Sequence, residues 1–281
     1  MIKIGEYNKL KVLRKSDLGY MLSNGSEEVL MHFKQSLREL KDGEEVEVFI
    51  YSDKQRRPTA SMIKPTATVL EAGFGKVVLV ESGVGVFVNI NTPKDVLISK
   101  DYLPYDETLW PAIDDLVLVR LKLKHDILVA KPLNRFEIIE IKKDVNYAEL
   151  ERVNGRVCHI ALKGIGILTD DFNYVFVPNN QFRGKYRMGE EVTVTITKAL
   201  ENDYYGMLNA YKEELVDTDI NTILEYLDNH GGIMKLTAKS SSEDIAKVFN
   251  MSRKAFKRAY GSLYKDRIID FDSEKTFKVK K

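Results

Sequence analysis

The chain has 281 residues, 44% of them hydrophobic, and a formal net charge of +1. This length exceeds one small domain, so two to four folded units are expected, each able to bury a core. The near-zero net charge means that affinity for nucleic acid would require locally clustered cations. One cysteine excludes an intramolecular disulfide and fits a reducing compartment. Without a signal-peptide pattern or a membrane-spanning apolar run, the sequence predicts a soluble cytoplasmic protein with no membrane partner.

Residues 1 to about 211 consist of short β-branched runs divided by Gly, Asn and Asp, a pattern typical of antiparallel barrels. The pattern repeats at roughly 65 to 80 residues, a size that suits one small barrel. Each repeat has five strand-like runs, the strand count of an OB-fold. The sequence therefore predicts a mainly β protein with three tandem five-stranded OB barrels, at 1–63, 65–133 and 152–213, and a partly helical linker at 134–151.

The clearest mark shared by the repeats is an acidic turn before the fourth strand. It reads Asp42-Gly43-Glu44 in the first repeat and Gly189-Glu190 in the third, with Asp114-Asp115 at the same place in the second. Glycine at two of these turns predicts a backbone with positive φ.

A helical domain, residues 219–281, is predicted after the barrels. Ser240 to Asn250 indicates a short capped helix and a turn, and Met251 to Arg267 a second helix with Ser252 as its N-cap. The following RIIDFDSEKTFKVKK segment predicts a two-stranded wing. This order is that of a winged helix-turn-helix domain, an α/β unit.

The second helix has one apolar and one basic face. Ala255, Phe256, Ala259, Leu263 and Tyr264 recur at helical spacing and predict the buried stripe. The basic face is predicted to contact a phosphate backbone, the alternative being a solvated charged surface. Its candidate residues are Arg253, Lys254, Lys257 and Arg258.

Several of these motifs resemble one bacterial family, the conserved virulence factor B family of S1-domain RNA-binding proteins. The resemblance is carried by Gly73-Phe74-Gly75, Gly85-Val86-Phe87-Val88, Lys94-Asp95-Val96-Leu97, Leu109-Trp110-Pro111, Lys239-Ser240-Ser241 and Ser252 through Arg267. It implies three S1-like barrels, a C-terminal winged helix and RNA binding.

The S1 resemblance also implies an RNA face with an aromatic residue on either side of a Gly-x pair, a His, and an Asp followed four residues later by Arg. No repeat has the complete set. The first repeat has His32, Asp53 and Arg57, with Leu18 and Met21 at the aromatic positions. In the second repeat, Val84 and Phe87 are at the aromatic positions, Ile98 is at the His position and Ile127 is at the Arg position. In the third repeat, Ile165 and Leu168 are at the aromatic positions and Pro178 is at the His position. Asn202 and Tyr205 are at the positions of the acid and the Arg.

The residue types themselves indicate further nucleic-acid contacts. Phe87 is either a base-stacking ring or core, and Arg56 and Arg57 either bind phosphate or are solvated turn charges. His32 is equally compatible with a half-buried structural role. A basic loop that contains an aromatic suits single-stranded nucleic acid, as do exposed tyrosines at a hairpin tip. These candidates are Arg183, Lys185, Arg187, Tyr204 and Tyr205.

Signatures of catalysis, metal binding or a cofactor are lacking. The four histidines lie far apart in the sequence without Cys or carboxylates at metal-ligand spacing. The motifs Gly83-Val84-Gly85 and Gly164-Ile165-Gly166 lie inside strands and indicate bulges or close barrel contacts. Trp110 and Cys158 are interpreted as packing residues.

Three functions are compatible with these patterns. The first is a non-catalytic protein that binds single-stranded RNA multivalently and affects gene expression. The second is a DNA-binding transcription regulator, although three acids in the wing (Asp270, Asp272 and Glu274) disfavour contact with a groove. The third is an interaction scaffold on the translation or RNA-degradation machinery. The oligomeric state stays open.

Overall fold

The computed structural model describes residues 1–200, 203–208 and 212–279, with the backbone alone for 212–217. The chain divides into two compact units, Met1–Leu208 and Asn209–Lys281. The first unit contains three closed five-stranded barrels, and the second is a winged helix. The predicted fold class is confirmed.

The three barrels have the same topology. In each, the strands follow the closed order 1-2-3-5-4, so the third and fifth strands pair in parallel. Barrel 1 has strands β1 (Tyr7–Lys15), β2 (Gly19–Ser23), β3 (Glu28–His32), β4 (Glu45–Ser52) and β5 (Pro58–Ser61). Barrel 2 has strands β6 (Gly73–Glu81), β7 (Gly85–Asn89), β8 (Val96–Ser99), β9 (Leu116–Lys124) and β10 (Ile127–Pro132). Barrel 3 has strands β11 (Arg152–Ala161), β12 (Gly164–Thr169), β13 (Tyr174–Pro178), β14 (Glu191–Ala199) and β15 (Tyr204–Met207).

A register shift bends the first strand of every barrel. It falls between Val12 and Arg14, between Val77 and Leu79, and between Val157 and His159. A β-bulge increases local twist, and this lets a short sheet curl until its edges meet.

The turn before the fourth strand has a left-handed backbone in all three barrels, as predicted for the two turns that contain glycine. Gly43 has φ +84°, Gly189 has φ +81°, and Asp114 adopts φ +74° at the same place in barrel 2. Each of these residues donates its backbone N–H to the first strand, to the carbonyls of Val12, Val157 and Val77 respectively. The acidic turn is therefore a structural element of the barrel.

Barrel 2 and barrel 3 share an apolar interface. Leu118, Leu133, Ile138, Leu168 and Tyr174 form its buried cluster. Ile138 belongs to helix α1 (Arg135–Ile141), which confirms that the linker is partly helical. Asn134 caps this helix in a reciprocal capping box with Glu137.

The packing assignments of Trp110 and Cys158 are consistent with the structure. Trp110 is buried in the core of barrel 2, where its Nε1 donates to the carbonyl of Pro104 at 2.7 Å. Burial raises the pKa of the Cys158 thiol to about 12, so this thiol remains protonated at neutral pH.

The second unit has a helix-turn-helix followed by a wing. Its elements are α2 (Lys212–Asn229), β16 (Ile233–Met234), α3 (Ser242–Phe249), α4 (Arg253–Lys265), β17 (Ile269–Phe271) and β18 (Thr276–Lys278). The wing strands form a three-stranded sheet of order β16-β18-β17, one strand more than predicted. Ser241 and Ser252 cap α3 and α4, and Asn250 ends α3 with φ +52°.

The prediction that Tyr264 belongs to the buried stripe of α4 is wrong. Tyr260, 3% exposed, lies in the core in place of Tyr264, which is 50% exposed. The hydroxyl of Tyr260 hydrogen-bonds that of Thr276 at 2.8 Å, and Thr276 donates to the carbonyl of Leu236. Tyr260 therefore joins α4 to the wing, a role that helical spacing alone does not reveal.

Candidate nucleic-acid interface

A cleft of about 430 Å³ combines one hairpin of barrel 1 with the outer face of barrel 2. We call it the barrel 1–2 cleft. Its lining includes two of the predicted contact residues, Arg56 and Phe87. The full lining is Arg56, Phe87, Lys94, Asp95, Leu97, Lys124, His125, Ile127, Leu128 and Val129.

Phe87 lies on the outer face of barrel 2. Its neighbours Val86 and Val88 are fully buried in the barrel core. Since successive side chains of a strand point to opposite faces, the Phe87 ring points away from that core and is half-buried in the cleft. Phe87 pairs with Leu79 on one side and Leu97 on the other. The ring therefore has an apolar side chain beside it on each neighbouring strand.

Arg56 is directed to the cleft by the hairpin between β4 and β5. The Asp53 carboxylate accepts hydrogen bonds from the backbone N–H of Gln55 and Arg57, at 2.8 and 2.9 Å, and pairs with the Arg57 guanidinium at 2.7 Å. The Arg57 guanidinium is therefore held by Asp53 within the same turn. Arg56, with φ +63°, is an exposed cation at the tip, and its guanidinium forms no ion pair with Asp53.

The electrostatics of Asp53 agree with this geometry. Partial burial raises the pKa of the Asp53 carboxyl. Hydrogen bonds from the backbone N–H and guanidinium of Arg57, and from the backbone N–H of Gln55, outweigh this effect, so the pKa lies below its ordinary value. Asp53 therefore stays ionised at neutral pH and keeps the turn closed.

Two hydrogen bonds hold this hairpin against barrel 2. The Ser52 hydroxyl donates to the carbonyl of Asp126 at 2.7 Å, and Lys94 Nζ donates to the carbonyl of Asp53 at 3.4 Å. His125 and Asp126 form the turn between β9 and β10, both with positive φ. Loops from two barrels are thus fixed at one cleft.

The charge of the cleft is mainly positive. Within the ranges 1–200, 203–208 and 212–279, no carboxylate forms an ion pair with Arg56, Lys94 or Lys124. The one acid in the lining, Asp95, accepts a hydrogen bond from Asn89 at 2.9 Å. Cations that are not neutralised by a described carboxylate, placed around a half-buried ring, suit phosphates on either side of a stacked base.

The strand registers correct the S1 position mapping. Gly19, Gly85 and Gly164 are equivalent, because a Cβ at each would lie 2.0 to 2.3 Å from a carbonyl oxygen of the third strand. The residues opposite these glycines are His32, Ser99 and Pro178. Ser99, rather than Ile98, therefore stands at the histidine position of barrel 2.

The same registers place the aromatic positions of barrel 3 two residues earlier than predicted. Its second aromatic position, equivalent to Phe87, is Gly166 rather than Leu168. Ile165 is buried in the core of barrel 3, whereas Leu168 is on the outer face but is buried in the interface with barrel 2. Asn202 lies outside the described residues.

In barrel 1 the predicted His32 is exposed rather than half-buried. The aromatic that sequence reasoning missed there is the next residue, Phe33. Its ring lies edge-on to Tyr20 at 5.3 Å and beneath the Lys15 ammonium at 5.6 Å. The signal was the His-Phe-Lys run at the end of β3.

The basic loop of barrel 3 faces barrel 2. Lys185 Nζ lies 3.3 Å from Asp106, and Arg187 Nη1 lies 2.9 Å from Asp115 in an ion pair without hydrogen-bond geometry. The adjacent Met188 N–H donates to the carbonyl of Leu109. Lys185 and Arg187 therefore join two barrels, while Arg183, in the same loop, is half-buried.

Only one of the two predicted hairpin tyrosines is exposed. Tyr204 is 6% exposed and packs on Tyr147 in the core of barrel 3, where its hydroxyl accepts the Tyr147 N–H. The expectation of an exposed Tyr204 is wrong, because this residue faces inward on β15. Tyr205, the next residue, is 39% exposed.

Tyr205 lines a second cavity of about 390 Å³, which we call the barrel 3 groove. Sequence reasoning missed its other aromatics because they come from the linker helix and from β13. The lining is Asn134, Arg135, Phe136, His159, Ala161, Tyr174, Phe176, Asp203, Tyr204 and Tyr205.

The predicted basic face of α4 is exposed. Among residues 218–279, whose side chains are described, no acid pairs with Lys254, Lys257 or Arg258, and Arg253 donates to the carbonyl of Lys239 at 3.4 Å. All four side chains lie off the buried stripe. The helix thus offers four cations to an anionic partner.

Among the described residues no helix is long and apolar enough to cross a membrane. Within the same residues, no group of three or more His, Cys, Asp or Glu side chains could hold a metal ion.

Three OB barrels in series with a winged helix define a multidomain protein of the S1 class. Family models match it in three places: an S1 domain at residues 4–63, the first S1-like domain of CvfB at 72–127, and a CvfB-like winged helix domain at 221–277. The chain belongs to the conserved virulence factor B family.

Full-length relatives support this membership. The chain is 32% identical to the uncharacterised protein YitL of Bacillus subtilis, over 93% of this chain and 89% of that one. It is 30% identical to conserved virulence factor B of Staphylococcus haemolyticus, over 99% and 95%. A solved multidomain protein with nucleic-acid-binding domains from Streptococcus pneumoniae shares the fold, with 24% identity, TM-score 0.64 and 98% coverage of each chain.

Proposed function

We propose that this chain is a non-catalytic RNA-binding protein that holds single-stranded RNA in the barrel 1–2 cleft and affects gene expression through that binding. The observation that supports this proposal most directly is the half-buried Phe87 ring in a cleft with Arg56, Lys94 and Lys124, cations that form no ion pair with a carboxylate of the described residues. Aromatic rings stack on unpaired bases, and neighbouring cations neutralise the backbone. Membership of a family with S1-like domains supports the same ligand class.

The basic face of α4 provides a second point of contact in this proposal. Its four exposed cations suit a phosphate backbone of any sequence. Two weak sites on one chain gain affinity through effective concentration, so binding is expected to be multivalent. By contrast, the ion pairs of Lys185 and Arg187 support an architectural role for the barrel 3 loop.

Phe87→Leu tests the cleft. Leucine keeps much of the volume but has no aromatic face, so affinity for single-stranded RNA is expected to fall by roughly 1–3 kcal/mol. Stability should change little, because the ring lies outside the barrel core. Fluorescence anisotropy with a labelled RNA measures the first quantity and thermal denaturation the second.

The matched control is Phe172→Leu. Phe172 is also half-buried, but it packs on Phe74 at the interface of barrels 2 and 3, away from the cleft. Its replacement should leave RNA affinity at the wild-type value. If the Phe87 variant binds RNA as tightly as the wild type, the cleft does not stack bases.

Replacing Arg253, Lys254, Lys257 and Arg258 together by alanine is expected to weaken nucleic-acid binding while the winged helix stays folded. Alanine is a good helix former and none of the four lies in the buried stripe. Anisotropy and circular dichroism on one preparation measure both effects. Wild-type affinity would leave all binding to the barrels, whereas loss of helical signal would show that the charges are structural.

The α4 face also favours a second candidate, a DNA-binding regulator, because helix-turn-helix domains place their second helix in a major groove. Competition of bound single-stranded RNA with duplex DNA separates the two. Displacement by duplex DNA at lower concentration than by unlabelled RNA would favour the DNA candidate.

A further inference from the structure

We infer that the barrel 3 groove is a second base-stacking site for single-stranded RNA, built on the third and fifth strands of the barrel and on the linker helix. This inference rests on the proposed function and names a site of that function. Tyr205 is a sequence candidate, but the predicted S1 aromatic positions lie on a different strand, so the position mapping by sequence does not reveal the other rings of the groove, Phe176 and Phe136.

The groove presents aromatic faces in a defined arrangement. Phe176 on β13 and Tyr205 on β15 are register partners, and their rings meet edge to face at 5.9 Å. Tyr205 is 39% exposed, and Phe136 of α1, which also lines the groove, is 72% exposed. Exposed rings fixed on strands are how OB-type barrels hold unpaired bases.

The glycine at position 166 explains why the rings are displaced. In barrel 2 the equivalent residue is Phe87, on the second strand. At Gly166 a Cβ would lie 2.3 Å from the hydroxyl of Tyr174, so the Tyr174 ring occupies the space where that side chain would stand. The outward aromatics of barrel 3 therefore lie on its third strand, at Phe176, and on its fifth strand, at Tyr205, rather than on its second strand.

The charges of the groove favour a neutral flat ligand. Arg135 and Asp203 form an ion pair, with Nε 3.2 Å from Oδ1, and the bond to Asp203 raises the pKa of Arg135. The Arg135 guanidinium also lies 5.9 Å from the ring centroids of Phe136 and Tyr174. Because this cation is already neutralised, the groove suits an uncharged base more than a phosphate. The exposed His159 adds a polar group for the base edge.

The size agrees with such a ligand. A volume of about 390 Å³ falls in the range of small-ligand sites. The groove and the barrel 1–2 cleft would then each hold unpaired bases of one RNA, and linked sites reinforce each other.

The test measures binding of a mixed-sequence single-stranded RNA to the full chain by anisotropy. Tyr205→Leu is expected to raise Kd about 5- to 150-fold, whereas Tyr205→Phe, which keeps the ring, should bind normally. Tyr105→Leu is the matched control, because Tyr105 is a fully exposed tyrosine outside the groove. Phe136→Leu provides an independent change on the linker helix.

The outcomes separate this inference from the proposed function when Phe87→Leu is measured alongside. Weakening by Tyr205→Leu and Phe136→Leu, with normal binding by Tyr205→Phe and Tyr105→Leu, supports the groove. Wild-type affinity of both groove variants, with Phe87→Leu weakened, overturns the groove alone and leaves the proposed function standing. If the wild-type chain does not bind the RNA, both proposals are wrong.

Discussion

Alanine at Gly85 is expected to destabilise barrel 2 by about 2–5 kcal/mol, the combined cost of overpacking and a strained backbone. The Cβ would lie 2.1 Å from the carbonyl oxygen of Ile98, and the glycine has φ +144°. Neither the carbonyl nor the backbone can move without breaking the pairing of β7 with β8. Hydrogen–deuterium exchange of peptides from these two strands measures the local loss of stability.

Gly83→Ala is the matched control for this change. Gly83 lies in the same hairpin and also has a positive φ, +74°, but a Cβ added there would have no atom within 4 Å. Only the backbone strain remains, so the expected cost is roughly 1–2 kcal/mol. Equal effects of the two substitutions would show that the contact with Ile98 does not constrain the barrel.

The same close approach recurs at Gly19 and Gly164, against the carbonyl oxygens of Met31 and Val177. Its recurrence explains why the sequence repeats were visible. Each barrel needs a glycine at the start of its second strand and a left-handed residue before its fourth. Such backbone requirements act over a few residues, so local sequence patterns reveal them.

Other features were not readable from the sequence. The motif Gly164-Ile165-Gly166 contains two glycines, and only the strand register shows that Gly164 is the equivalent of Gly85. Helical spacing places Tyr260 one turn after the buried Phe256 and nearer than Tyr264 to the stripe, but it does not show what the tyrosine contacts. The hydrogen bond of Tyr260 to Thr276 joins α4 to the wing, and no local pattern indicates it.

The candidate sites were predicted least completely because they join distant segments. Arg56 and Phe87 were both predicted, but their common cleft depends on the bond from Ser52 to Asp126, 74 residues apart. The ion pair of Arg187 with Asp115 likewise shows that a basic loop can serve barrel packing. Tertiary pairing of this kind leaves no local pattern.

The largest functional effect is expected from removing the three cations of the cleft. Replacing Arg56, Lys94 and Lys124 by serine should lower RNA affinity and make it less sensitive to salt. Each neutralised phosphate contributes about 0.7 to the slope of log K against log salt for single strands, so the slope should become shallower by about 2. Anisotropy titrations at several salt concentrations measure this slope.

The control is the replacement of Lys9, Lys11 and Lys41 by serine. This variant loses the same charge from exposed positions of the same unit that do not line the cleft. Since long-range attraction depends on total charge whereas counterion release depends on contact, the control should keep the wild-type slope. If both variants change the slope equally, the RNA responds to the general charge of the barrels. A shallower slope in the cleft variant alone would mean that Arg56, Lys94 and Lys124 contact phosphates beside the Phe87 ring.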